Sequence, residues 1–392
     1  MKKRWFQYRL RSLAFLVLVA AVGLSLYRQH VGRRILKVVQ DKAKSVWPEP
    51  KAKAWLWIFD DSIFKVQQLS FEDKPQFTDQ DAIQVAKLSR LRRLVLKGTS
   101  ISPAAAKPIS KLSNLSTLSL DGTQTDDAAV AEYAELKGLK DLGLSRTEIT
   151  DAALAHIANL SSLERLQLHQ TRVTAFGLEK LFNLTNLRTV GLSTPSEFDY
   201  KALSGVRSLE ELRISSRPFG ELSSNLGIEH LALLPNLRRL TFANLDSTGT
   251  KTDWSQFPHL EELKITTTNG LSIINQSRIK SVDIRIAGAA NRDITLENLP
   301  NLEQITFAMG HWSPNKLIIR RVPKLKKLES NWVSVTLEDA PSLEELSVQG
   351  WSEGPHGTAS LEVKTNLKKL RSVALKAVKL DNETHQMLKV ED

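Results

Sequence analysis

The chain holds eight histidines and no cysteine. Imidazole is the side chain best placed to carry protons near neutral pH or to bind transition metals. His156, His169, His230, His259 and His311 are scattered along the chain without ligand spacing. No HExxH, GxSxG or phosphate-loop pattern is present, and without thiols there is neither a thiolate metal site nor a disulfide. Carboxylates offer the remaining chemistry. The doublets Glu210-Glu211, Glu261-Glu262 and Glu344-Glu345 recur at one position of a repeat. Neighbouring residues of a strand face opposite ways, so only the second of each doublet reaches the outward face. Such doublets are not an acid and base couple. The reading is a protein without catalytic residues, metal or cofactor.

The elements that place these side chains are set by internal repetition. Leu88, Leu112, Leu136, Leu160 and Leu184 form one column, and Leu91, Leu115, Leu139, Leu163 and Leu187 a second. Leu94, Leu118, Leu142, Leu166 and Val190 form a third, and Leu96, Leu120, Leu144, Leu168 and Leu192 a fourth. Thr99, Thr123, Thr147 and Thr171 follow at the same spacing, which gives the unit LxxLxxLxLxxT. Its LxL piece predicts a short strand with the leucines inward, and stacked copies predict a parallel sheet over an aliphatic core. The threonine hydroxyls are expected to bond turn backbone of adjacent coils.

The second half of each early unit predicts a helix. In TEITDAALAHIANL, Thr150 or Asp151 is the N-cap, and Leu154, Ile157 and Leu160 share a face. An earlier, degenerate unit carries Val66, Leu69 and Phe71, and WLWIFDD reads as an N-terminal cap. Beyond residue 200 the helix signal fades. NRDITLENLP, NKLIIRRVP and VSVTLEDAP are β-like, so the outer side should change from helix to strand. The expected fold is an α/β solenoid with a curved parallel sheet on the concave face. Helices cover the convex face of its N-terminal half, and a more β-like layer covers the C-terminal half. The domain spans 55–392, with regular repeats over 63–200, irregular ones over 201–380 and a cap over 381–392.

Net charge is +11, and all of the excess lies in residues 1–54, where thirteen Lys or Arg face only Asp41 and Glu49. The repeats are neutral overall, which removes the main support for nucleic-acid binding. Residues 12–27 carry no charge and follow Lys2, Lys3, Arg4, Arg9 and Arg11. As a helix they reach roughly 24 Å, close to a ~30 Å hydrocarbon core. Trp5, Tyr8 and Tyr27 suit the interface. The expectation is a single-pass anchor over 1–28 in the cytoplasmic membrane, with the repeats on the extracytoplasmic side. Cleavage after Ala21 or Gly23 is the alternative. Residues 29–54 read as a basic connector, extended about Pro48 and Pro50.

The motif LxxLxxLxLxxTxITDxAL resembles bacterial leucine-rich-repeat proteins of the ribonuclease-inhibitor-like type. The start KKRWFQYRLRSLAFLVLVAAVGL is similar to the N-terminal anchor of many planctomycete proteins. The resemblance implies a binding concave face in a membrane-fixed protein and prescribes no catalytic residues.

Strand phase places the binding face on Arg93, Lys97, Asp121, Asp141, Arg165, Gln167, His169, Glu211, Arg213, Arg239, Glu262 and Lys264. This face is polar, mixed in charge and without the aromatic anchors of a protein hot spot. The expected function is a membrane-tethered protein-protein interaction module. The alternative is a glycan or cell-wall binder using Trp312, Trp332 and Trp351 as an aromatic rim, unless these fill a core that has lost its helices.

Overall fold

The computed structural model describes residues 30–39, 41–47, 66–194, 199–216, 228–245, 253–267, 270–286, 293–309, 316–331, 333–350, 359–365, 367–380 and 382–388. They fall in two compact units, residues 1–163 and 164–392.

In the first unit, residues 30–39 form a helix that buries Val31, Ile35, Val38 and Val39, which recur at helical spacing. The strand Ser45–Trp47 then pairs antiparallel with Gln68–Ser70. This start of the segment expected as a connector is therefore part of the fold. Basic composition hid the apolar stripe of its helix. Lys42 Nζ lies 2.7 Å from Asp81, and Lys44 Nζ 2.8 Å from Glu72, so the cations of this segment brace the first coil.

Four parallel strands follow in register: Gln68–Ser70, Arg93–Val95, Thr117–Ser119 and Asp141–Gly143. Leu69, Leu94, Leu118 and Leu142 align across them and are all buried. Each such leucine is worth ~1.5–3 kcal/mol once a neighbouring coil covers it.

The outer layer of this unit is helical, with Asp79–Val85, Ala106–Ile109, Asp127–Tyr133 and Asp151–Ile157. Thr150 is the N-cap of the last of these, its hydroxyl accepting from Ala152 N–H. The caps also join coil to coil. Asp79 accepts from Ser102 N–H at 2.8 Å and from Ser102 Oγ at 2.6 Å, and Asp127 accepts the same pair from Thr150 at 2.8 and 2.6 Å. The first helical residue of one coil thus holds the N-cap of the next.

The recurring threonines work within a coil rather than between coils, contrary to the expectation. Thr99, Thr123 and Thr147 donate to the carbonyls of Leu96, Leu120 and Leu144 at 2.7, 2.7 and 2.6 Å. The chain turns sharply there, because Gly98 and Gly122 take positive φ, and the hydroxyl reaches back only three residues.

In the second unit the parallel strands run from Arg165–Leu168, Thr189–Thr194, Glu211–Ser216 and Arg239–Leu245 through Glu262–Thr267 and onward to Ser372–Lys376. The outer layer begins with the short helix Ala175–Leu178. It continues through the 3-10 turns Tyr200–Leu203, Ile228–Leu233 and Trp254–Gln256. From Ser272–Ile274 it becomes a second parallel sheet, through Ile294–Glu297, Lys316–Arg320, Ser334–Glu338 and Ala359–Val363 to Val378–Leu380. The expected change from helix to strand is present. Its cause is local: alternating apolar residues such as Ile294 and Leu296, or Leu317 and Ile319, bury one side of an extended segment. The positive-φ turn moves with it, to Asn275, Asn298, Arg321 and Asp339, directly after the second-sheet strands.

No helix among the described residues is long and apolar enough to cross a membrane. The expected anchor at 12–27, the cap WLWIFDD and the rim of Trp312, Trp332 and Trp351 lie outside the described residues.

Candidate functional site: the outward strand face

The alternation of each strand sends its leucines inward and its polar residues outward, as the burial of Leu166, Leu212 and Leu240 beside exposed Arg165 and Arg213 shows. The sequence-predicted face is therefore the outward face of the strands. Its members do not all remain available.

In the first unit, two of the candidates are committed to structure. Lys97 Nζ lies 2.8 Å from Glu72, which Lys44 also contacts at 2.8 Å. The two ammonium groups hold the Glu72 carboxyl down at about 2, and the Glu72 carboxylate in turn raises Lys97. Asp121 accepts from Ser145 N–H at 2.8 Å and from Ser119 Oγ at 2.6 Å. One of its oxygens is engaged by the next coil and the other by its own. Arg93 is exposed and Asp141 half-buried on the same face.

In the second unit the candidates converge. Glu211 accepts from Arg213 Nε at 2.6 Å and from Arg239 Nε at 3.2 Å, one guanidinium on each oxygen. With Thr241, Glu262 and Lys264 these groups line a depression of about 220 Å³ floored by Leu240. Glu262 and Lys264 make no ion pair among the described residues. The arrangement offers a fixed pair of guanidinium groups beside one uncommitted cation and one uncommitted anion. It suits a ligand carrying both signs of charge.

Beside this depression runs a line of hydroxyls. His169 Nδ1 is 3.0 Å from Ser215 Oγ, and Ser215 Oγ is 2.7 Å from Ser193 Oγ. Ser193 also accepts from Gln170 N–H at 3.0 Å. Gln167 and His169 overlie Gly191, whose missing side chain leaves the space they occupy. No group of three His, Asp or Glu that could hold a metal occurs among the described residues.

Sequence reasoning missed the rim that frames this face. The residues just before successive strands are Arg188, Glu210, Arg238, Glu261, Lys280, Glu303, Lys326, Glu344 and Arg371, which alternate in sign. Each N–H donates to the carbonyl of the one before it. Ion pairs join Arg188 to Glu210 at 2.9 Å, Arg238 to Glu261 at 3.1 Å, Glu261 to Lys280 at 2.8 Å and Glu303 to Lys326 at 2.8 Å. The lysine partners hold the Glu261 and Glu303 carboxyls below their ordinary range. The signal was in the carboxylate doublets. The first member of each doublet belongs to this rim and the second to the face, so Glu210 meets Arg188 while Glu211 meets Arg213 and Arg239.

This architecture has known counterparts. A model of a leucine-rich repeat region matches residues 62–392. No curated protein matches the sequence. Among solved structures, an internalin (inlF) of Listeria monocytogenes is similar over 87% of this chain and 93% of its own, at 17% identity and a TM-score of 0.50. An internalin C2 of Listeria monocytogenes is similar over 47% of this chain and 74% of its own, at 26% identity and a TM-score of 0.37. The structure of PEPR1-AtPEP1 is similar over 92% of this chain and 54% of its own, at 16% identity and a TM-score of 0.42. Strands of the LxL motif, an aligned leucine core and the match over 62–392 agree: the chain belongs to the leucine-rich-repeat family.

Proposed function

We propose that this protein is a membrane-tethered binding module that holds a protein partner on the outward strand face of its second unit and catalyses no reaction. The observation that carries the reading is the depression lined by Glu211, Arg213, Arg239, Thr241, Glu262 and Lys264. Its guanidinium groups are already held by Glu211, so little ordering entropy remains to be lost when a partner docks. Uncommitted Glu262 and Lys264 then select a surface of complementary charge, which favours specificity and on-rate over raw affinity. Tethering rests on the uncharged stretch 12–27 and its basic flanks, placed in the cytoplasmic membrane with the repeats extracytoplasmic.

A photo-reactive amino acid at Thr241 in the full chain tests the reading in native membranes. The expected result is a crosslink to a polypeptide that Arg239→Glu and Lys264→Glu each abolish, and that a probe at exposed Arg321 does not give. A crosslink indifferent to both reversals overturns the site. Retention of a chain lacking residues 1–29 in carbonate-washed membranes overturns the tether.

A further inference from the structure

The last strand of the main sheet, Ser372–Lys376, has Glu345–Gln349 as its one neighbour among the described residues, and Val378–Leu380 likewise ends the second sheet. Ser372 N–H donates to the Glu344 carbonyl, and the Lys376 carbonyl accepts from Gly350 N–H. In a parallel ladder the alternate residues face the other way. The main-chain N–H and C=O groups of Val373 and Leu375 therefore point away from Glu345–Gln349, to the side that carries no further strand among the described residues. Their side chains are also only partly covered, Leu375 being half-buried. Val373 is 36% exposed, whereas Leu346, its partner in register, is 2% exposed. An edge with free backbone groups and half-covered apolar side chains is a template for another strand.

Charge decides which strand. Lys368, Lys369, Lys376 and Lys379 are exposed around this edge and make no ion pair among the described residues. Arg371 is 80% exposed beside Glu344. A second copy of the same edge would bring these cations together, so the lysines oppose self-pairing. We propose that this edge is a docking site for an acidic, extended polypeptide segment that adds a strand beside Ser372–Lys376. Its main chain would meet Val373 and Leu375, its apolar residues would cover their side chains, and its carboxylates would face the lysines.

A labelled peptide of about ten residues alternating Glu and Val, against the same peptide with Lys for Glu, tests this on the full chain in detergent. The acidic peptide is expected to bind and to slow hydrogen exchange at the Val373 and Leu375 amides, while the basic one does neither. The variant Lys368→Glu with Lys376→Glu should weaken binding about tenfold, as two reversed surface contacts imply. Val373→Pro, which removes an N–H that the internal ladder does not use, should weaken it comparably with an unchanged circular dichroism spectrum. Binding without protection of those two amides overturns the proposal. So does self-association through this edge, or binding to phosphatidylserine vesicles that the acidic peptide does not displace.

Discussion

His169 reaches Ser215 across an intervening strand, with Nδ1 and Oγ 3.0 Å apart. The crossing is possible because Gly191 stands beneath it, and a Cβ there would meet the tips of Gln167 and His169. Both atoms are the far ends of flexible side chains rather than backbone, so they can give way. Gly191 is buried, yet only side-chain ends must move, so Gly191→Ala should cost less than about 1 kcal/mol, below the range for overpacking against backbone. It should break the bond from His169 to Ser215, which a crystal structure of the variant would show. Loss of folding would contradict the assignment.

Gly350 is the opposite case. A Cβ at this buried position would run into the Ala377 carbonyl oxygen, which belongs to backbone and cannot rotate away. Gly350→Ala should destabilise the protein by about 1–3 kcal/mol, the range for overpacking. Urea unfolding would measure it, and a midpoint equal to that of Gly191→Ala would refute the distinction.

Arg146 occupies the positive-φ turn that glycine fills at Gly98 and Gly122, with φ of 56° against 68° and 70°. A side chain in this region is disfavoured by roughly 1–2 kcal/mol, partly offset by the greater freedom of glycine when unfolded. Arg146→Gly should raise stability by about 0.5–1 kcal/mol in thermal unfolding. A lower melting temperature would show that Arg146 makes a compensating contact.

Glu72 binds its first coil to Lys44 and Lys97, and its carboxyl sits at about 2 rather than the ordinary 4.5. A depressed carboxyl contributes stability that is fully present above 4.5 and is lost as the pH falls toward 2. Solvent screening limits the contribution to about 1 kcal/mol. Glu72→Gln should lower stability at neutral pH and flatten this part of the acid profile. An identical slope in both proteins between pH 4.5 and 2 would sink the argument.

Asp127 carries two hydrogen bonds from Thr150, at 2.8 Å from the N–H and 2.6 Å from the hydroxyl. Asp127→Ala should cost about 1–2 kcal/mol and speed hydrogen exchange at the Thr150 amide, because a cap supplied from another coil is lost. An exchange rate unchanged from the parent would mean the contact contributes nothing in solution.

Much of the core was legible in the sequence. Leu94, Leu118 and Leu142 are inward because a strand alternates and because each coil repeats the last, so local period and register coincide. The helix-to-strand change of the outer layer was legible in the same way, from alternating residues such as Leu317 and Ile319. The candidate face was legible only as a direction. Phase shows that Lys97, Asp121 and Glu211 point outward, but not that Lys97 and Asp121 are already engaged by Glu72 and Ser145.

By itself, then, the sequence determined which side chains enter the core and which leave it, since both follow from spacing along one chain. The tertiary structure decided which outward charges remain available. That depends on residues contributed by neighbouring coils, such as Arg239 beside Glu211, and on absences such as the side chain of Gly191. It also folded residues 30–39 into a helix and 45–47 into a strand, because their few apolar residues gain stability only once the first coil is there to cover them.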